Sequence, residues 1–111
     1  MVLRIGVQPP ARCILRRMYD LAFRMTAVAG DEDDVFAALT TAAEASRQEP
    51  GVLWFEALRS SSDPRTMLVV ERYASRDAYE AHKGTAHYAA WKTASAGRIE
   101  ASERFVGGEA S

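Results

Sequence analysis

Residues 71 to 91 read E-R-Y-A-S-R-D-A-Y-E-A-H-K-G-T-A-H-Y-A-A-W. The stretch starts as the end of a strand and turns through Ala74-Ser75. It continues as a helix to about Lys83, breaks at Gly84 and restarts after Thr85. Ser75 and Thr85 are suited to cap the two helical pieces, because a hydroxyl at that position accepts a free backbone N–H. The stretch holds both histidines, three of the four tyrosines and one of the two tryptophans. A strand end running into a broken helix gathers these side chains around one short arc, as a pocket wall. Histidine is the residue type whose charge changes most readily near neutrality, which makes His82 and His87 candidate proton carriers.

Immediately upstream, Thr66 to Tyr73 and Val52 to Arg59 read as two strands. The turn between them is Ser60-Ser61-Ser62-Asp63-Pro64-Arg65, whose composition favours turns. Strict alternation puts Val52, Trp54 and Leu58 on one face of the second strand and Leu53, Phe55 and Ala57 on the other. In the third strand Met67, Val69 and Tyr73 alternate with Leu68 and Val70. A hairpin apolar on both faces needs cover on both. Helices of this chain cover one face, and the same face of a second copy is the simplest cover for the other, so a homodimer is expected.

Further out, Met18 to Val28 alternates as a strand, with Tyr19, Leu21, Phe23 and Met25 on one side. Gly30 ends it. Asp31-Glu32-Asp33-Asp34 opens a helix, where acidic side chains cap backbone N–H groups and suit the positive end of the dipole. Val35, Phe36, Leu39, Ala42 and Ala43 form its buried stripe, and Pro50 is expected to terminate it. Gly97 ends the second helical region. Arg98 to Val106 is the last strand, with Ile99, Ala101 and Phe105 on one face. The order is strand, helix, strand, strand, helix, strand: an α+β chain of ferredoxin-like β-α-β-β-α-β type. The domain is expected over 18–108, with residues 109–111 as a tail.

Residues 1–17 contain four arginines and no acid, with Pro9-Pro10 in the middle. They read as an N-terminal extension: an arm, a leader ahead of Met18, or, least favoured, a targeting peptide. A short strand at Leu3 to Val7 is a further expectation. A chain of 111 residues makes one domain. Its net charge of −1 gives no case for nucleic acid or membrane as partner, and no apolar run is long enough to span a bilayer. The single cysteine, Cys13, forms no internal disulfide, and a cytoplasmic location is the default.

Glu71-x-Tyr73, Ala78-x-x-x-His82 and Thr85-x-His87-Tyr88 together resemble the antibiotic biosynthesis monooxygenase family. Glu49-Pro50-Gly51-Val52-Leu53 and Phe55-x-x-Leu58-Arg59 resemble its second strand and the approach to it. The resemblance spans roughly 18 to 106. It implies a dimeric α+β barrel of ferredoxin-like subunits. It leaves the reaction open, since the family includes quinol monooxygenases, isomerases and haem-degrading enzymes. The haem-degrading relatives use an asparagine, a tryptophan and a histidine, and this chain has no asparagine.

The candidate catalytic residues are His82 as base or donor, Tyr73 as donor and His87 as a second base. Each has a plainer alternative: a helix histidine bonded to a carbonyl, or a ring closing the core. Trp54, Glu71, Tyr88 and Trp91 are candidate substrate-binding residues, with Trp54 favoured as a pocket wall. Glu71 shares a face with Val69 and Tyr73, so it is expected to be partly buried and to need a partner. Arg59 is one candidate, on a face that alternation does not connect to it. A metal site from His82, His87 and Glu71 is disfavoured, because a spacing of five across a glycine break is not a helical ligand spacing. No nucleotide, flavin or nicotinamide fingerprint is present. The expected function is a cofactor-independent monooxygenase acting with dioxygen on a quinol, anthrone or similar electron-rich aromatic. The alternatives are an isomerase or tautomerase of a small hydroxy-ketone, and a non-catalytic dimer that binds an aromatic metabolite.

Overall fold

The computed structural model describes residues 18–108. The expected strand at 3–7 and Cys13 lie outside the described residues. Strands β1 (Tyr19–Ala27), β2 (Val52–Arg59), β3 (Thr66–Tyr73) and β4 (Ile99–Gly108) form one antiparallel sheet in the order β2-β3-β1-β4. Helices α1 (Glu32–Ser46), α2 (Arg76–Lys83) and α3 (Ala86–Ser95) complete the ferredoxin-like arrangement.

One sheet face carries the core. Met25, Ala27, Phe55, Met67 and Val69 pack there against Val35, Leu39 and Ala43 of α1. Leu21 and Tyr73 form a second cluster with Tyr79 of α2. The opposite face leaves Trp54, Leu58, Leu68 and Phe105 exposed. The two-sided apolar character of the hairpin is therefore real.

Four expectations are corrected in detail. The first concerns β2, whose register against β3 shifts between Val52 and Trp54. The irregularity lets both Val52 and Phe55 pack toward the core, so Val52 parts from Trp54 and Leu58. Second, a shift at Thr26/Ala27 lets Ile99 pack on the core while Phe105, opposite Ala22, is exposed. Third, the acidic cluster does not cap α1 through Asp31, whose side chain makes no cap bond. Instead Glu32 accepts the Gly30 N–H, while Asp33 and Asp34 pair with Arg59 and Arg98. Fourth, α1 stops at Ser46, ahead of Pro50. The chain there tightens into turns, Gln48 N–H to Ala45 and Glu49 N–H to Ser46. Those turns carry Glu49 toward the end of α2.

Candidate functional site

The break at Gly84 builds the site. Ser75 caps α2 by accepting the Ala78 N–H at 3.1 Å, and Thr85 caps α3 by accepting the Tyr88 N–H at 3.2 Å. The Thr85 hydroxyl also donates to the His82 carbonyl at 2.7 Å. One side chain thus joins the two helices at a fixed angle. The joint brings the His82 and His87 rings to 5.8 Å between centroids.

Both histidines converge on Glu49. His82 Nδ1 and His87 Nε2 lie 2.8 and 2.5 Å from the same oxygen, Glu49 Oε2. A carboxylate only accepts, so each imidazole presents N–H to it, and this fixes both tautomers. In the neutral ring His82 then carries its lone pair on Nε2, and no described residue bonds that atom. No buried side-chain nitrogen or oxygen among the described residues lacks a partner, so Nε2 must reach open space. His82 is 5% exposed, wedged among the rings of Phe55, Tyr73 and Tyr88.

A cavity of about 140 Å³, lined in part by His82, lies between the core face of the sheet and the three helices. Phe23, Phe55 and Glu71 form its sheet side, and Tyr79, His82, His87, Tyr88 and Trp91 its helical side. Burial pushes the Glu71 carboxyl up to about 7, and the charge of Glu49 adds to the push. The Tyr73 hydroxyl donates to Glu71 Oε1 at 2.5 Å and works against it. Burial, with the neighbouring Glu71, drives the Tyr73 phenol far above its ordinary range, so it stays protonated.

Of the expected residues, His82, His87, Glu71, Tyr88 and Trp91 come together around the cavity. Tyr73 sits behind Glu71, fully buried, and its hydroxyl bonds that carboxyl; it does not line the cavity. Trp54 lies across the sheet, 58% exposed and opposite Arg72, so it is no wall of this cavity. The partner of Glu71 is Tyr73. Arg59 is engaged by Asp33 and the Pro64 carbonyl instead. Two residues were missed. Tyr79 had a detectable signal, since it stands three positions before His82 on a short helix and therefore on the same face. Glu49 was noted only as part of the approach to the second strand, and 33 positions separate it from His82, so no periodicity joins the two.

The sequence profile of the antibiotic biosynthesis monooxygenase family matches residues 18–94. A solved structure from Nitrosomonas europaea, named for that family, is 29% identical with a TM-score of 0.77. It covers 83% of this chain and 89% of its own. Another so named, from Bacteroides thetaiotaomicron, is 25% identical with a TM-score of 0.78, covering 82% and 88%. A Pseudomonas aeruginosa structure, 18% identical with a TM-score of 0.80 over 87% and 98%, shares the fold. No curated protein matches the chain. The chain belongs to the antibiotic biosynthesis monooxygenase family.

Proposed function

We propose that this member of the antibiotic biosynthesis monooxygenase family oxygenates a single-ring quinol, using dioxygen and no resident cofactor. The observation that carries the proposal is the Glu49 oxygen shared by His82 and His87, both of which line the cavity. In this mechanism His82 Nε2 takes the phenolic proton, and the Glu49 carboxylate stabilises the imidazolium that forms. The quinol anion is electron-rich enough to reduce dioxygen. A ring carbon forms a C–O bond, the O–O bond breaks, one oxygen stays on the ring and the other leaves as water. Hydroquinone plus dioxygen gives hydroxyquinone plus water, a four-electron oxidation of the ring matched by four-electron reduction of dioxygen. Glu71 across the cavity, which burial keeps partly protonated near neutral pH, is suited in its protonated form to donate a hydrogen bond to the developing oxyanion.

Cavity size argues for one ring. A cavity of about 150 Å³ accepts benzene, and this one is about 140 Å³. The expected cytoplasmic setting and a homodimer formed through the face bearing Trp54 are part of this proposal.

A second reading has its own support. A proton acceptor (His82) and a proton donor (Glu71) on opposite walls also suit an enediol isomerisation of a small hydroxy-ketone. The experiment screens single-ring hydroquinones, anthrones and small hydroxy-ketones under oxygen and under nitrogen. The expected result is oxygen uptake with a single-ring hydroquinone, with one atom of labelled dioxygen in the product. His82→Phe should lower the rate about a hundred- to ten-thousand-fold. Turnover confined to a hydroxy-ketone and undiminished under nitrogen would replace the oxygenase by the isomerase.

A further inference from the structure

We propose that Glu49, His82 and His87 also form a binding site for a divalent transition-metal ion of the zinc type, and that the bound ion shuts the reaction off. The inhibitory half rests on the function proposed above; the binding half does not.

Two imidazole nitrogens and one carboxylate oxygen lie within 4.8 Å of one another. Around a tetrahedral zinc ion, ligand atoms about 2.1 Å from the metal lie roughly 3.4 Å apart. Glu49 Oε2 stands 2.8 and 2.5 Å from its two partners, so it needs to retreat by less than about an ångström. Each imidazole frees its bonded nitrogen by moving the proton to the other ring nitrogen. A spacing of five across a glycine break, with Glu71 as third ligand, disfavoured a metal site in the sequence. In the structure the Gly84 break is the joint that brings the two histidines together, and Glu49 stands in place of Glu71.

The ligand set also selects the ion. Two imidazoles and one carboxylate suit zinc, nickel, copper or iron, rather than magnesium or calcium. The site is largely enclosed, with 14%, 6% and 25% of the Glu49, His82 and His87 side chains exposed. Both histidines line the cavity, which gives room for a further ligand. The ion takes the Glu49 oxygen and His82 Nδ1 and leaves the ring proton on Nε2, the atom that must accept a proton in the reaction, so the two exclude each other. Binding requires neutral imidazoles, so it weakens on acidification.

Calorimetric titration of the full chain with zinc chloride in a non-chelating buffer tests this. One ion per chain is expected at pH 7.5, with weaker binding at pH 5.5. Glu49→Gln, His82→Phe and His87→Phe should each lose at least about tenfold in affinity, while Cys13→Ser keeps it. These are the chain's only two histidines and its only cysteine, so the assignment is clean. Cobalt absorption on the unmutated protein supplies a readout independent of variant folding. Absence of both heat and a cobalt spectrum overturns the site, and binding that survives all three substitutions overturns its location. One zinc per chain without slowed oxygen uptake overturns the inhibition. Failure of every quinol to consume oxygen bears on the reaction and leaves the binding result standing.

Discussion

Tyr73 and Glu71 stand two positions apart on one strand face, and the Tyr73 hydroxyl donates to Glu71 Oε1 across 2.5 Å. The pair is buried, and the carboxyl titrates near 7 rather than at its ordinary 4.5. Folding therefore takes up a proton between those values. Below 4.5 the group is neutral in both states and costs nothing. As pH rises toward 7 the unfolded chain ionises while the folded one resists, and stability falls by roughly 3 kcal/mol. Glu71→Gln keeps an acceptor for Tyr73 and abolishes this slope. Urea unfolding at pH 5 and pH 8, at fixed protein concentration, should show the variant gaining on the parent at the higher pH. Equal pH dependence in both proteins would refute the assignment.

Tyr73→Phe acts on the same carboxyl from behind. The lost hydroxyl was the contact favouring the ionised form, so Glu71 should titrate above 7 in the variant. The stability loss should be about 1–3 kcal/mol and larger at pH 8 than at pH 5. Carbon-13 titration of the Glu71 carboxyl measures the shift directly, and an unmoved midpoint would sink the prediction.

Much of this architecture was legible in the order of residues, because its signals are local. Gly84 and Thr85 mark the helix break, and the alternation in 19–26 and 66–73 places the core face. Strict alternation accounts for two of the errors. It cannot anticipate the irregularity between Val52 and Trp54, which turns Val52 to the core while Trp54 stays on the far face, or the shift at Thr26/Ala27, which parts Ile99 from Phe105. The place of Glu49 in the site was missed for a different reason. Its role depends on how the turns after α1 meet the end of α2, a tertiary fact without periodicity to announce it. Tyr73 belonged to the site by position, yet its hydroxyl serves the neighbouring carboxyl rather than the cavity.

Gly51 fixes that meeting point. A Cβ added there would lie 2.5 Å from Ala78 Cβ on α2, and its carbonyl accepts the Ala74 N–H. Neither neighbour is the far end of a flexible side chain. Gly51→Ala should push α2 outward, costing about 1–3 kcal/mol, and should separate His82 from Glu49. The checks are thermal unfolding and the Nδ1–H signal of His82, expected to lose its strong hydrogen-bond shift. A fully stable variant with an unchanged signal would mean that α2 is not wedged at this point.

The uncovered sheet face yields the last prediction. Trp54, Leu58, Leu68 and Phe105 are all exposed on it, with Leu58 and Leu68 directly opposite each other. Large apolar side chains grouped on one surface mark an interaction site, and a stable interface buries about 800 Å² per partner. A two-fold dimer through this face would bring each residue near copies of its own neighbours. Leu58→Glu would then place two like charges in a dry interface, while in a monomer it would sit harmlessly in water. Sedimentation at micromolar concentration should show about twice 12.2 kDa for the parent chain and a shift toward 12.2 kDa for the variant. The core lies on the other side of the sheet, so the far-ultraviolet circular dichroism of the variant should match the parent. A parent that sediments only as a monomer would leave this face without its proposed cover.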